Sequence, residues 1–336
     1  MTLKGIGLAA SLAIVTVASG ANAEILRLSS FEPPVAHVTK NILTPWAADV
    51  NAASGGELDI QIFPGGTLGR NPAQQLKLVE DGVADIAWVI PGYTPGRFNE
   101  GTVAELPFLV PSATIGSDAM WDLYEQGVLS GDYANFKMIG IMTSSPNGFA
   151  STASITAPGD LKGLNVRAPG PVMLSAISAL DAVPVGGITG PTMAEAINRG
   201  LIDGTFVQFG AIETFRVDEV IKTYVDLPLG ATPMLIVMNK AKYDSLSDTA
   251  RAAIDANSGA AFSQRFGASF DENVAEARAR ILGKYDIDLV APDAALAAQW
   301  QDAVSVATTD WIADTENGQQ IYDAFKAALA KAGTAQ

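Results

Sequence analysis

The chain has 336 residues, 48% hydrophobic and 17% charged, enough apolar material to bury the core of one large domain or two modest ones. Acidic residues outnumber Lys plus Arg by 36 to 21, a net charge of −15, which excludes a surface built to grip nucleic acid nonspecifically and requires any anion site to be made locally. With no cysteine, disulfides and a thiol nucleophile are excluded, and a Ser-His-Asp triad would depend on the single histidine, His37.

Residues 1–23 read as a signal peptide. Lys4 supplies the positive start, "GIGLAASLAIVTVASG" the apolar stretch, and Ala21-Asn22-Ala23 a small-x-small cleavage site, so cleavage is expected between Ala23 and Glu24. The alternative is an uncleaved anchor. No later run of about 18 uncharged apolar residues follows, so no membrane span is expected after it. Without a cysteine at the cleavage site there is no lipid anchor, and a bacterial periplasm fits the export signal best.

The mature chain should open with a strand, "ILRLSSF" (residues 25–31), and reach a second one in "GELDIQIFPGG", where Leu58, Ile60 and Ile62 alternate with Asp59 and Gln61. The intervening segment has helical length and ends at Gly55-Gly56, giving a β-α-β start and an α/β protein. In "NPAQQLKLVEDGVADIAWVI", Asn71 is an N-cap, Pro72 occupies the first helical position and Gly82 closes the helix before a buried strand. "GPTMAEAINRGLIDGTFVQF" repeats that grammar: a Thr192–Glu195 capping box, an apolar stripe of Met193, Ala196 and Ile197, then Gly200 and a strand. "GVADIAWV" and "GLIDGTFV" are either generic helix–strand junctions or marks of two similarly built lobes with a cleft between them.

Between these units lies "DLKGLNVRAPG". Leu164, Val166 and Ala168 alternate with Asn165 and Arg167, a short strand that Pro169-Gly170 should stop. Arg167 then sits at a strand's carboxyl end, where open α/β sheets bind ligands, as an ion-pair partner or as an anion clamp. From Ser247 to Leu282 one bent helix long enough to run along both lobes, or two shorter ones, is expected; Ser247 caps it and Gly259 and Gly267 weaken it. Further helices complete the tail. No linker composition appears, so strands rather than a tether should join the lobes.

Enzyme motifs are absent: no P-loop, no G-x-S-x-G, no H-E-x-x-H and no EF-hand loop. His37 reads as a surface or capping residue. Carboxylates are plentiful, but no compact ligand spacing points to a metal, and paired-carboxylate hydrolysis has only composition in its favour. What remains is recognition chemistry. "WVIPGYTPGRF" (residues 88–98) is a stiff aromatic loop after a strand; Trp88 and Tyr93 would wall a pocket, unless Trp88 is core. "TFVQFG" (residues 205–210) offers Phe206, Gln208 and Phe209 at the matching strand end of the other lobe.

In order and spacing, "GELDIQIFPGGTLG", "LVEDGVADIAW", "VAELPFL", "APGDLKGLNVRAPG", "ALDAVPV", "EAINRGLIDGTF" and "VMNKAKYDSLSDTARAAI" resemble the solute-binding proteins of tripartite ATP-independent periplasmic (TRAP) transporters, dicarboxylate-binding P-subunit (DctP) type. The resemblance implies a two-lobed periplasmic-binding-protein clamp of α/β class, each lobe a mixed sheet flanked by helices, with a long helix spanning both. The implied division is residues 24–147 plus 236–272 for the first lobe and 148–235 plus 273–336 for the second. The resemblance makes Arg167 the partner of the ligand's carboxylate, with Phe31, Trp88, Tyr93, Thr94, Asn147, Gln208 and Phe209 as further binding residues. Where sialic-acid-binding relatives carry a second arginine, this chain has Ala150, and the aromatic loop favours a monocarboxylate with an apolar or aromatic body. A compact dicarboxylate, or a zwitterion stacked on Trp88, is the alternative ligand. Implied too are the absence of catalysis and of a cofactor, a monomer, and delivery to one small and one large membrane subunit; no metal-ligand residue is assigned, and whether a metal ion assists in the cleft is left open. The alternatives are a receptor for an ABC importer or a sensor, and a secreted carboxylate-pair hydrolase.

Overall fold

The computed structural model describes residues 23–334; the expected signal peptide therefore lies, but for Ala23, outside the described residues. Two sheets carry the architecture. The first is formed by β1 (Glu24–Ser29), β2 (Leu58–Phe63), β3 (Ile86–Val89), β4 (Phe136–Thr143) and β10 (Pro233–Asn239), in the order β2-β1-β3-β10-β4. The second is formed by β5 (Gly148–Ser151), β6 (Asn165–Arg167), β7 (Val183–Val185), β8 (Gly204–Val207), β9 (Thr223–Val225) and β11 (Asp288–Val290), in the order β11-β9-β5-β8-β6-β7.

Each sheet has the same parallel nucleus. β1 pairs in parallel with β2 and β3, as β6 does with β7 and β8. An antiparallel strand follows on the far side, β10 beside β3 and β5 beside β8. The recurrent Asp in the two matched segments has one job in both lobes. The Arg27 N–H donates to Asp85 Oδ2 at 2.8 Å, and the Asn165 N–H donates to Asp203 Oδ2 at 2.8 Å. In return the Asp85 and Asp203 N–H groups donate to the Arg27 and Asn165 carbonyls. The carboxylate thus satisfies a strand-entry N–H that would otherwise lack a ladder partner.

Helices cover the sheets: α1 (Thr44–Ala53), α2 (Gln75–Glu80) and α3 (Ala113–Glu125) around the first, α4 (Pro171–Ala179), α5 (Met193–Asn198) and α6 (Phe209–Thr214) around the second. Asn71 caps the turn leading into α2, its Oδ1 accepting from Ala73 N at 3.0 Å. The Thr192–Glu195 capping box is not formed. The Thr192 hydroxyl donates back to the Thr189 carbonyl at 3.0 Å, and Glu195 pairs with Arg199 at 2.6 Å. After the short α7 (Lys240–Asp244), Ser247 caps α8 (Asp248–Ala256), accepting from Ala250 N at 3.0 Å. The chain breaks at Gly259, whose φ of +85° suits glycine. It resumes as the 25-residue α9 (Ala260–Lys284). Gly267 does not bend α9; a side chain there would collide with the backbone of Ala113 and Thr114. Asp271, one turn on, accepts from the N–H groups of Ala113 and Thr114 at 2.8 and 2.9 Å and from the Ser145 hydroxyl at 2.7 Å. α9 packs on α3 at one end and on α6 at the other, so it runs along both lobes.

The chain passes between the sheets at β4 to β5, at β9 to β10, and again through α9 on the way from β10 to β11; the first two crossings are short. They run side by side, tied by Ser144 N–H to the Thr232 carbonyl, Asn147 N–H to the Gly230 carbonyl and Leu229 N–H to the Asn147 carbonyl. The tail departs from the expected division. α10 (Ala294–Asp314) packs on α4, burying Trp300 and Val304 in the second lobe's core, but α11 (Gly318–Thr334) returns to α3 and buries Ile321, Phe325 and Leu329 in the first. The amphipathic pattern of α11 fixes which face it buries but not which lobe receives it.

Candidate functional site

The carboxyl ends of β1, β3, β6 and β8 meet around one cavity of about 60 Å³. Its walls include Phe31, Ile90, Phe206, Phe215, Met234 and Phe270. At this lobe separation the cavity is small, though large enough to hold water-sized groups. Tyr93, Asn147, Arg167 and Gln208 also reach it. A larger cleft of about 780 Å³ opens elsewhere between the lobes, but Glu100, Asp132, Asp310, Asp314 and Glu316 line it and its field repels anions.

Arg167 is the last residue of β6 and 2% exposed. Its Nε–H donates to the Ile188 carbonyl at 2.8 Å, which fixes the side chain's direction. The terminal nitrogens make only long contacts, Nη1 to Thr205 Oγ1 at 3.5 Å and Nη2 to the Tyr93 hydroxyl at 3.4 Å. No carboxylate of the described residues forms an ion pair with it. Burial pulls its pKa below the ordinary arginine value, the Tyr93 hydroxyl opposing. Guanidinium basicity still leaves it charged. A buried, unneutralised cation is costly for the folded protein, and an anionic ligand removes that cost. The fork matches a carboxylate's two oxygens.

The lobes touch beside this cation. Gly190 N–H donates to the Tyr93 hydroxyl at 2.9 Å across the cleft. Gly92 lies so close to Pro169 that a Cβ would strike the Pro169 carbonyl oxygen. Any parting of the lobes to admit a ligand would turn on the paired crossings, which form the hinge between them. Asn147 stands at that hinge: its Nδ2 donates to the Gly230 carbonyl at 3.0 Å and to Thr232 Oγ1 at 3.1 Å. Gln208 caps α6, its Oε1 accepting from Ala211 N at 3.1 Å.

Three expected residues lie off the cavity wall. Trp88 is fully buried in β3 behind Phe31, its ring stacked at 6.5 Å from the Phe31 ring. It is core, and it supports the wall rather than forming it. The Thr94 hydroxyl turns back to the Pro91 carbonyl at 3.2 Å. Phe209 points away and packs on Tyr224, ring centres 4.2 Å apart. Ala150 is buried in β5, opposite Thr205. His37, expected at the surface or as a cap, instead joins the wall. The Asn41 amide meets its Nδ1 at 3.0 Å, Nε2 meets Ser269 Oγ at 3.1 Å, and burial lowers its pKa.

Two carboxyl groups had no place in the sequence reading. Glu32, 8% exposed, reaches the cavity wall. Its Oε1 accepts from Trp88 Nε1 at 3.3 Å, and burial pushes its pKa up to about 7. Glu105, of "VAELPFL", is fully buried where the first lobe meets the start of α4 in the second. It accepts from Val172 N at 2.9 Å, and burial pushes its pKa up to about 8 against the Val172 and Met173 N–H groups. Gly170 leaves room for it; a Cβ there would overlap the carboxylate. The only sequence signal for either was an acidic residue set among apolar and proline neighbours.

Two matched lobes facing each other across a partly aromatic cavity that holds one buried cation form an arrangement suited to a solute receptor. The chain belongs to the DctP family, bacterial extracellular solute-binding protein family 7, which it matches over residues 29–314. It is 31% identical to a marine metagenome TRAP solute-binding protein specific for aromatic acid ligands, solved with 3-hydroxybenzoate; the TM-score is 0.88 over 93% of this chain and 99% of that one. A TRAP solute-binding protein from Rhodoferax ferrireducens, solved with copurified benzoate, is 28% identical, with a TM-score of 0.89 over 93% of this chain and 99% of that one. The outer membrane transporter protein TsaT of Comamonas testosteroni is 27% identical over 96% of each chain.

Proposed function

We propose that this protein is the receptor of a TRAP transporter that captures an aromatic monocarboxylate in the periplasm and hands it to membrane subunits. The observation that carries this reading is Arg167: a buried guanidinium without a carboxylate partner among the described residues, at the edge of a small cavity walled in part by Phe31, Phe206, Phe215 and Phe270. The carboxylate pairs with the guanidinium fork, and the ring lies among Phe31, Phe206 and Phe270. One cation suits one carboxylate; Ala150 offers no second clamp. The receptor binds without turnover, as a monomer, and cleavage after Ala23 leaves Glu24 as its first residue. Its partners are one small and one large integral-membrane protein.

A thermal-shift screen tests the ligand class. Benzoate and hydroxybenzoates should stabilise the protein, by about 2.7 kcal/mol at 100 times the dissociation constant, and be recovered unchanged. Stabilisation by succinate or a sugar acid, with none by benzoates, would overturn the aromatic reading. Loss of the ligand during incubation would overturn the receptor reading.

A further inference from the structure

We propose that Glu32 is the second polar pole of the cavity and reads a hydroxyl group carried by an aromatic acid on the side of the ring away from its carboxylate. This rests on the assignment of Arg167 as the carboxylate site and adds to it the chemistry expected of the rest of the ligand.

The repeated topology places the two poles. Leu28 and Ser29 of β1 face Ile86 and Ala87 of β3, and Val166 and Arg167 of β6 face Gly204 and Thr205 of β8. Asp85 and Asp203 fix the same register in both lobes. Arg167 therefore corresponds to Ser29, and the loop that carries Phe31 and Glu32 corresponds to Pro169 and Gly170. Glu32 thus leaves the first lobe at the strand end that opposes the strand end of Arg167. Both side chains line one cavity, yet they form no ion pair. Phe31, Phe206, Phe215 and Phe270 share that lining, so a ring seated among them can present a different part of one ligand to each pole.

Glu32 is also held in place. Its carbonyl accepts from Gly65 N at 2.7 Å, its N–H donates to Ser30 Oγ at 3.3 Å, and Pro33 and Pro34 stiffen the chain beyond it. Trp88 Nε1 occupies Oε1. Oε2 has no hydrogen-bond partner among the described residues. The neighbouring polar group, His37, has both ring nitrogens engaged by Asn41 and Ser269. A buried carboxyl with one free oxygen gains a partner when a ligand hydroxyl arrives, and a ligand without one leaves it unsatisfied. Burial that pushes the group up to about 7 lets it meet a hydroxyl as acceptor or as donor.

The test is calorimetric titration of wild type, Glu32→Met and Glu32→Gln with benzoate and the three monohydroxybenzoates, with a melting curve for each variant. At least one hydroxybenzoate should bind wild type about tenfold or more tighter than benzoate. Glu32→Met should erase that gain and leave benzoate affinity within about threefold. Glu32→Gln keeps an acceptor for Trp88 and should shrink the gain about threefold or more; it decides the matter if Glu32→Met does not fold. A gain that survives both substitutions would move the role to another wall residue, such as Asn273, and overturn the proposal. So would an equal loss of benzoate and hydroxybenzoate, which marks a packing role, or no gain in wild type. Failure of wild type to bind any of the four acids removes the aromatic reading itself, an outcome distinct from a receptor that binds benzoate and ignores the hydroxyl.

Discussion

Replacing Arg167 separates the cost of a binding residue from the benefit of a structural one. Its charge is 2% exposed, its Nη contacts are 3.4 and 3.5 Å long, and only the Nε bond to Ile188 is short, at 2.8 Å. Breaking a buried ion pair by removing one partner costs about 3–5 kcal/mol, so Arg167→Ala should weaken carboxylate binding by about 150- to 5,000-fold. Arg167→Lys retains charge but not the planar fork or the Nε bond, and should fall between the two. Arg167→Met keeps much of the volume and removes the desolvated charge. Without ligand it should melt no lower than wild type, because Val166 and not Arg167 supplies the packing of β6. With benzoate, the melting shift should disappear in Arg167→Met and persist in wild type. Calorimetry and melting curves on the same samples read both quantities. Normal binding by Arg167→Ala would refute the clamp. Unfolding of Arg167→Met would show that the guanidinium holds the second lobe together instead.

Closure and pH give two further tests. Gly92→Ala puts a Cβ against the Pro169 carbonyl oxygen and 2.8 Å from the Gly170 Cα, so the lobes should close less fully. Affinity should drop about tenfold or more with little loss of melting temperature, and equal affinity would show that closure does not pass through this contact. Glu105 is pushed up to about 8 by burial, above the ordinary 4.5, so the folded state holds a proton that the unfolded chain has lost. Its contribution to stability is complete below about pH 4.5 and is lost as pH rises through 8, with a slope of up to about 1.4 kcal/mol per pH unit. Glu32, pushed up to about 7, adds a second group of the same sign. Denaturant unfolding at pH 5, 6.5 and 8 should show wild type losing stability and Glu105→Gln losing less; parallel profiles would mean that Glu105 does not carry the effect.

The sequence made legible whatever repeats at short range. The alternation of Leu58, Ile60 and Ile62 marked β2, and Asn71 and Ser247 marked the starts of helices whose first N–H groups they satisfy. The paired Asp signals left generic junctions and two matched lobes both open; the structure decides for matched lobes, because Asp85 and Asp203 do the same backbone work. Arg167 was legible because a strand end needs only two neighbours, Pro169 and Gly170, to be recognised. Side-chain direction was not. β3 is buried on both faces, so its sequence has no polar–apolar alternation to tell where Trp88 points, and Trp88 packs into the core while Tyr93, beyond the strand, reaches the cleft. Gln208 and Phe209 straddle the start of α6, where the cap turns one toward the cavity and the other toward Tyr224. Glu32 and Glu105 escaped notice because a carboxylate in sequence reads as surface unless its partner is known, and both partners, Trp88 and Val172, lie more than 50 residues away.

The two lobes share a strand order, yet they bring different chemistry to the cleft, and that asymmetry suggests how binding and closure are coupled. The second lobe presents a cation at the end of β6; the first presents rings and a carboxyl after β1 and β3. If Arg167 is the carboxylate site as proposed, a carboxylate should dock on the second lobe through it before closure, while the apolar ring gains little until the first lobe covers it. The contacts made on closing lie against that same cation: Tyr93 takes the Gly190 N–H and meets Arg167, and Gly92 abuts Pro169. Without an anion, closing buries an unneutralised guanidinium; with one, it buries a neutral pair and an apolar ring. On the proposed reading, the ligand shifts the lobe equilibrium by its differential affinity for the closed form, and a solute that lacks the carboxylate or the ring should shift it less.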